Sequence, residues 1–167
     1  DGFSLPYQFA FSFGAILYAF LGLWLIRRFL LRYYSDLVVA IILLTLVLAT
    51  NYLNYASFDG SMPHNVLFTL FAGILLLTER YYESPSWRTA LGLGVLIGLA
   101  TIVRPIELMT ILIPLLWGIK DKETLRGRWQ FILSHWKDIG FLVLGMFAMG
   151  MFQMGYWKYS GGSWLVY

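Results

Sequence analysis

The feature that most constrains this chain is a run of 20 residues, Tyr7 to Ile26, that has no charged side chain and is followed by Arg27 and Arg28. About 20 helical residues are needed to cross the ~30 Å hydrocarbon core of a membrane. The whole chain is strongly apolar. Of its 167 residues, 59% are hydrophobic and 13% are charged, whereas soluble domains carry about 25% charged residues. The sequence therefore predicts a membrane protein.

Five further apolar runs alternate with polar loops. The basic, partly amphipathic stretch KDKETLRGRWQFILSHWKD indicates a helix that lies on anionic headgroups at the membrane surface. The predicted fold class is all-α: a polytopic transmembrane bundle of about six hydrophobic segments with one amphipathic surface helix. We expect residues 1–167 to form a single transmembrane domain taken from a longer chain. The five runs are Leu37 to Tyr55, Asn65 to Thr78, Thr89 to Val103, Leu108 to Ile119 and Ile139 to Trp157.

The basic residues predict the orientation of the chain. Ten of the 12 Lys and Arg residues lie in three loops, at residues 27–36, 79–88 and 120–138. Loops rich in Lys and Arg remain on the cytoplasmic side of a membrane. This assignment places both chain ends and the loop from Asn51 to Asn65 on the outer side.

The stretch ATIVRPIELM joins two short apolar runs. Both ends of this pair face the cytoplasm, so the chain must turn at Arg104 and Pro105, although its limbs are only roughly 22 Å and 18 Å long as α-helices. Proline breaks helical hydrogen bonding and disfavours helix in the residue before it. A non-helical corner below the membrane surface is tolerated only where it lines a cavity or is buried in protein. The sequence therefore predicts a cavity at this corner.

Arg104 has two interpretations. It could pair with Glu107 or Asp59 and close the turn, since charges inside membranes commonly pair with each other. Alternatively, its planar guanidinium could bind the phosphate of a lipid headgroup in a bidentate way. Glu107 would then orient Arg104 or contact a hydroxyl group.

The outer loop ATNYLNYASFDGSMPHNVLF collects polar side chains between two apolar runs. In a structural interpretation, Asp59 and Gly60 form a turn and Ser61 caps the next helix ahead of Pro63. In a functional interpretation, Asp59 or His64 takes a proton from an acceptor, while Arg104 stabilises charge on a leaving phosphate.

The glycines, the methionines and the absence of cysteine indicate helix packing and exclude some kinds of site. Gly94 and Gly98 have the spacing of a close contact between membrane helices, and the methionines of GMFAMGMFQMG are typical of core or lipid-facing filler. The absence of cysteine excludes disulfides and thiolate metal sites. We expect no metal, no cofactor and no nucleic-acid partner.

Two stretches, FDGSMPHNVLFTLFAGILLL and GLGVLIGLATIVRPIELMTILIPLLWGI, resemble the middle of polytopic GT-C superfamily glycosyltransferases. The resemblance covers roughly Leu37 to Ile119 and is greatest to bacterial protein-mannosyltransferase-like enzymes. It implies inverting transfer of a sugar from a polyprenyl-phosphate carrier to an acceptor at the outer face of the bacterial inner membrane, without a nucleotide-sugar domain. The partners expected are membrane lipid and the lipid-linked donor.

The resemblance also implies roles for individual residues. Arg104 matches an arginine that meets the carrier phosphate, and Asp59 matches a second acidic residue of the family. The family's best-known catalytic carboxylate lies in a first outer loop that we expect to precede this chain. His64 and Asn65 have no counterpart in the general pattern. The candidate site residues are Asp59 and His64 for catalysis, and Arg104, Glu107, Asn65 and Ser61 for binding carrier phosphate and sugar.

Two alternatives remain open at the level of the sequence. Short, broken helices carrying charges are also typical of secondary transporters and of lipid flippases. Transporters usually contain internal repeats, however, and residues 7–78 show no convincing similarity to residues 89–167. A non-catalytic membrane subunit would also suit the pattern.

Overall fold

The computed structural model describes residues 4–58, 60 and 62–165, and within these ranges the chain is helical and contains no strand. The all-α prediction is confirmed for this part of the chain. In order, the elements are α1 (Leu5–Leu30), α2 (Asp36–Ala49), α3 (Tyr52–Ser57), α4 (His64–Glu83), α5 (Trp87–Val103), a 3₁₀ helix η1 (Pro105–Ile111), α6 (Leu112–Leu116), α7 (Lys122–Ser134) and α8 (Trp136–Gly161).

Two of the described helices, α1 and α8, are long and apolar enough to cross a membrane by length and composition. In the most apolar part of each, 17% and 11% of the residues are buried. Large side chains such as Phe9 and Phe20 on α1, and Phe147 and Phe152 on α8, are exposed instead. The core helix of a soluble protein has the opposite character, with its large apolar residues buried. A total of about six spans remains a prediction.

The second and third apolar runs have boundaries that differ from those predicted. The run Leu37 to Tyr55 is not one helix, because the extended backbone of Thr50 separates α2 from α3. The Thr50 hydroxyl bonds to the Leu46 carbonyl oxygen and accepts from the Tyr52 amide, and such local bonds compete with the helical ladder. The third run, by contrast, continues past Thr78 through two charged residues to Glu83.

The chain divides into two compact units, Asp1–Leu76 and Leu77–Tyr167. In the first unit, α1 contacts both α3 and the beginning of α4. The Tyr52 hydroxyl donates to the Ala19 carbonyl oxygen at 2.7 Å, and the Thr69 hydroxyl donates to the Tyr18 carbonyl oxygen at 2.7 Å. Gly22 permits this approach, because a Cβ there would lie 2.7 Å from Thr69 Oγ1.

In the second unit, α5 crosses α8 at a contact made by glycines. A Cβ on Gly94 would lie 2.8 Å from the Leu142 carbonyl carbon, and one on Gly98 would lie 2.8 Å from Met149 Cβ. Gly145 makes the reciprocal approach, since its Cβ would lie 2.7 Å from the Leu91 carbonyl oxygen. The close helix contact predicted from the spacing of Gly94 and Gly98 is confirmed, and α8 is its partner.

The predicted amphipathic segment forms α7. Asp121 caps this helix by accepting from the Thr124 amide at 2.8 Å, and this hydrogen bond holds the pKa of the Asp121 carboxyl below its ordinary value. Leu125, Trp129 and Leu133 are exposed and follow one another at the four-residue spacing of a helix face. Its position on a membrane surface remains a prediction.

Candidate functional site

The corner predicted at Arg104 and Pro105 is confirmed. α5 ends at Val103, Arg104 is extended with φ −146° and ψ 121°, and Pro105 begins η1. The Arg104 amide still donates to the Ala100 carbonyl oxygen at 2.9 Å, which closes the last turn of α5. Because proline disfavours helical geometry in the residue before it, the break falls at Arg104.

The limb that follows the corner differs from the predicted run of Leu108 to Ile119. It begins at Pro105 as a 3₁₀ helix and becomes α-helical only from Leu112 to Leu116. Pro114 explains part of this, because it has no amide to donate to the carbonyl of Thr110 four residues earlier. With the 3₁₀ rise of about 2.0 Å per residue, the limb is roughly 22 Å long, which is still shorter than the hydrocarbon core.

Arg104 and Glu107 are both half-buried at this corner. The Glu107 amide donates to the Arg104 carbonyl oxygen at 2.9 Å, and the Glu107 carbonyl oxygen accepts from the Thr110 hydroxyl at 2.7 Å. These bonds fix the backbone on both sides of Pro105. The backbone that carries the guanidinium and the carboxylate is thereby held by local hydrogen bonds.

A largely apolar cavity of about 610 Å³ lies between the end of α5, η1 and α8. Its volume falls within the roughly 300–1,000 Å³ of typical ligand sites. Pro105 lines the cavity, so a cavity is present at the corner, but Arg104 and Glu107 are not among its lining residues. The lining residues are Gly98, Thr101, Ile102, Pro105, Leu108, Ile111, Val143, Met146, Phe147, Gly150, Gln153, Met154, Trp157 and Leu165.

The α8 side of this cavity was not predicted from the sequence. Met146 and Met154 belong to the methionine stretch that we interpreted as core or lipid-facing filler, and they line this apolar cavity. Gly150 lines it as well, and no atom lies within 4 Å of a Cβ built at that position. The open space beside Gly150 depends on how α5 packs against α8, so the sequence alone provides no signal for this side of the cavity.

The outer loop contributes His64 and Asn65, which are the first two residues of α4. The His64 ring stacks on Tyr55, with 4.2 Å between ring centroids. Asn65 is 2% exposed, and neither its side-chain nitrogen nor its side-chain oxygen has a hydrogen-bond partner. Asp59 and Ser61, the other two candidates of this loop, lie outside the described residues.

The candidate residues therefore fall into two groups. His64 and Asn65 are neighbours in the first unit, and Arg104 and Glu107 are neighbours in the second. Among the residues that the structure describes, no three His, Cys, Asp or Glu side chains come together as a metal site would need. Comparisons with protein-family models, with curated proteins and with solved structures found no match.

Proposed function

We propose that this chain is part of a membrane glycosyltransferase that moves a sugar from a polyprenyl-phosphate carrier to an acceptor at the outer face of the bacterial inner membrane. The supporting observation is the arrangement at the corner, where an arginine directly precedes the wall of an apolar cavity of about 610 Å³. In this proposal the cavity holds the hydrocarbon tail of an amphiphile, and Arg104, the chain neighbour of the lining residue Pro105, binds its anionic head. In this proposal about six segments cross or enter the membrane.

The chemistry assigned to the corner is charge stabilisation. During transfer, the bond between the sugar's anomeric carbon and the phosphate oxygen breaks, and a bond from that carbon to the acceptor oxygen forms. The electron pair leaves with the polyprenyl phosphate, and the acceptor's proton passes to a base. Arg104 holds the phosphate by two parallel hydrogen bonds and stabilises the charge that develops on it.

In this proposal, residues of the outer loop bind the acceptor and the sugar. His64 and Asp59 bind or deprotonate the acceptor, while Glu107, Asn65 and Ser61 contact hydroxyl groups.

The direct test is transfer by the intact protein in lipid vesicles supplied with a polyprenyl-phosphate sugar labelled in the sugar. A labelled acceptor, together with free polyprenyl phosphate, supports the proposal. Passage of the labelled lipid between leaflets with its sugar–phosphate bond intact would assign a flippase instead. Saturable uptake of a solute would assign a transporter.

The cavity makes a separate prediction about carrier binding. Gly150→Leu places a side chain in the cavity, and its Cβ meets no neighbouring atom within 4 Å. Displacing about 60 Å² of tail contact costs about 1.5 kcal/mol, or roughly tenfold in Kd. The matched control is Gly155→Leu, because Gly155 is equally open but does not line the cavity. Equal carrier affinity in the two variants would contradict the assignment of the tail to this cavity.

A further inference from the structure

We propose that Asn65 and the small cavity beside it form a subsite for a neutral, hydroxyl-bearing ring, the size of a single sugar residue. The inference begins with the Asn65 amide, which is shielded from solvent and has no hydrogen-bond partner at either polar atom. Buried polar groups in native proteins are nearly always paired, so an unpaired one needs a reason. A binding partner outside the chain supplies that reason.

The second observation is the space next to Asn65. A cavity of about 220 Å³ is lined by Asn65 and by residues of α1 and of the preceding loop, including Phe11, Gly14, Tyr18 and Met62. Its volume is below the roughly 300 Å³ at which sites for drug-sized ligands begin. The ligand is therefore small, and one ring fits this description better than an oligosaccharide or a lipid chain.

The lining also indicates the ligand's chemistry. Among the described residues that line this cavity, none has a charged side chain, so a phosphate or a carboxylate would find no counter-charge among them, which is costly. An amide offers two donors and one acceptor oxygen, and a hydroxyl group complements both. The rings of Phe11 and Tyr18 give the same site apolar surface, as a sugar with polar edges and apolar C–H faces requires.

Small residues of α1 make the room. A Cβ built on Gly14 has no atom within 4 Å, which shows open space at that point of the wall. Tyr18 is held in place through its backbone, because its carbonyl oxygen accepts from Thr69 one turn beyond Asn65 on α4. The subsite thus lies within the first unit, between α1 and the first turn of α4. Its identification as a sugar subsite rests on the proposed function, whereas the need for a hydroxyl partner does not.

Direct binding tests the subsite without using transfer. Methyl hexosides are titrated into the intact protein, in a detergent that has no sugar headgroup, and binding is followed by saturation-transfer NMR. Asn65→Leu removes the amide, Gly14→Leu fills the cavity, and Gly140→Leu is the control, since Gly140 is equally open and lines neither cavity. We expect the dissociation constant to rise tenfold or more in the first two variants and to stay unchanged in the control.

Several outcomes would overturn the inference. Hexosides that fail to bind the wild-type protein, or that bind all three variants equally, would do so. Binding of glycerol with no binding of hexosides would overturn the sugar assignment and favour a lipid headgroup. If the wild-type protein binds hexosides but transfers no sugar from a polyprenyl-phosphate donor, the result counts against the proposed function and leaves the subsite supported.

The melting temperature gives an independent measurement. An asparagine whose amide is paired only by a ligand destabilises the ligand-free protein, so Asn65→Leu is expected to raise Tm by about 2–12 °C, given the usual cost of one unpaired buried polar group. An asparagine kept for the fold would lower Tm when it is replaced, and that result would contradict the proposal. Gly14→Leu is expected not to lower Tm, because its side chain enters open space.

Discussion

Substituting Gly94 with alanine is expected to destabilise the second unit by more than about 3 kcal/mol, the upper end of the usual cost of overpacking. The added methyl group would meet the backbone of Leu142, at 2.8 Å from its carbonyl carbon and closer still to its carbonyl oxygen. Backbone atoms cannot rotate away as a side chain can, so α8 must move as a whole. Unfolding by denaturant, monitored by circular dichroism, measures the loss.

Gly92→Ala is the matched control for this prediction, because it makes the same chemical change two residues away on the same helix. A Cβ at Gly92 would lie 3.1 Å from Leu77 Cδ1, the end of a flexible side chain that can move aside. Replacing glycine with alanine inside a helix stabilises it by about 0.5–1 kcal/mol. We therefore expect Gly92→Ala to be near neutral or slightly stabilising. Equal stability of the two variants would show that α5 and α8 do not cross at Gly94.

Replacing Arg104 with alanine is expected to reduce sugar transfer by about 10²–10³-fold, the typical cost of removing a group that stabilises transition-state charge. Arg104→Lys should retain only part of the activity, because lysine keeps the charge but loses the planar, forked set of donors. Initial rates at saturating carrier, expressed per folded protein, measure the effect.

The structural interpretation of Arg104 makes a different prediction. If this residue only closes the turn, Arg104→Ala will lower stability and leave the activity of the remaining folded protein at the wild-type level. Arg126→Ala serves as the control, since Arg126 is exposed on α7 and takes no part in the proposed site. Wild-type turnover in Arg104→Ala would remove the phosphate-binding hypothesis.

The corner and the helix contact were readable from the sequence because each depends on local chemistry. Proline removes a donor and restricts the residue before it wherever it occurs, which placed the break at Arg104. Likewise, Gly94 and Gly98 leave bare backbone on one face of α5. The break at Thr50 was missed because Thr50 is a single polar residue in an apolar run. The sequence does not show that its hydroxyl donates to the Leu46 carbonyl oxygen.

The cavities and the unpaired amide depend on residues that are distant in the chain. Gly150 lines the larger cavity together with Gly98, 52 residues earlier, and no local pattern pairs the two positions. Asn65 was a candidate because it is polar and lies next to the outer loop. Its lack of a partner is a property of the packing of α1 against α4. Sequence patterns identify polar groups but not whether the fold satisfies them.

In the proposed function, the larger cavity contacts the tail of the carrier and Arg104 contacts its phosphate, so the two parts of the carrier are selected separately. A hydrocarbon wall contacts any alkyl chain of suitable width with similar energy per unit area, so it discriminates poorly among isoprenoids, phospholipid tails and solubilising surfactants. Surfactant monomers should therefore compete with the carrier, and its apparent affinity should fall as their free concentration rises. In this proposal, discrimination depends on the polar end, where the guanidinium of Arg104 distinguishes a phosphate from an uncharged headgroup.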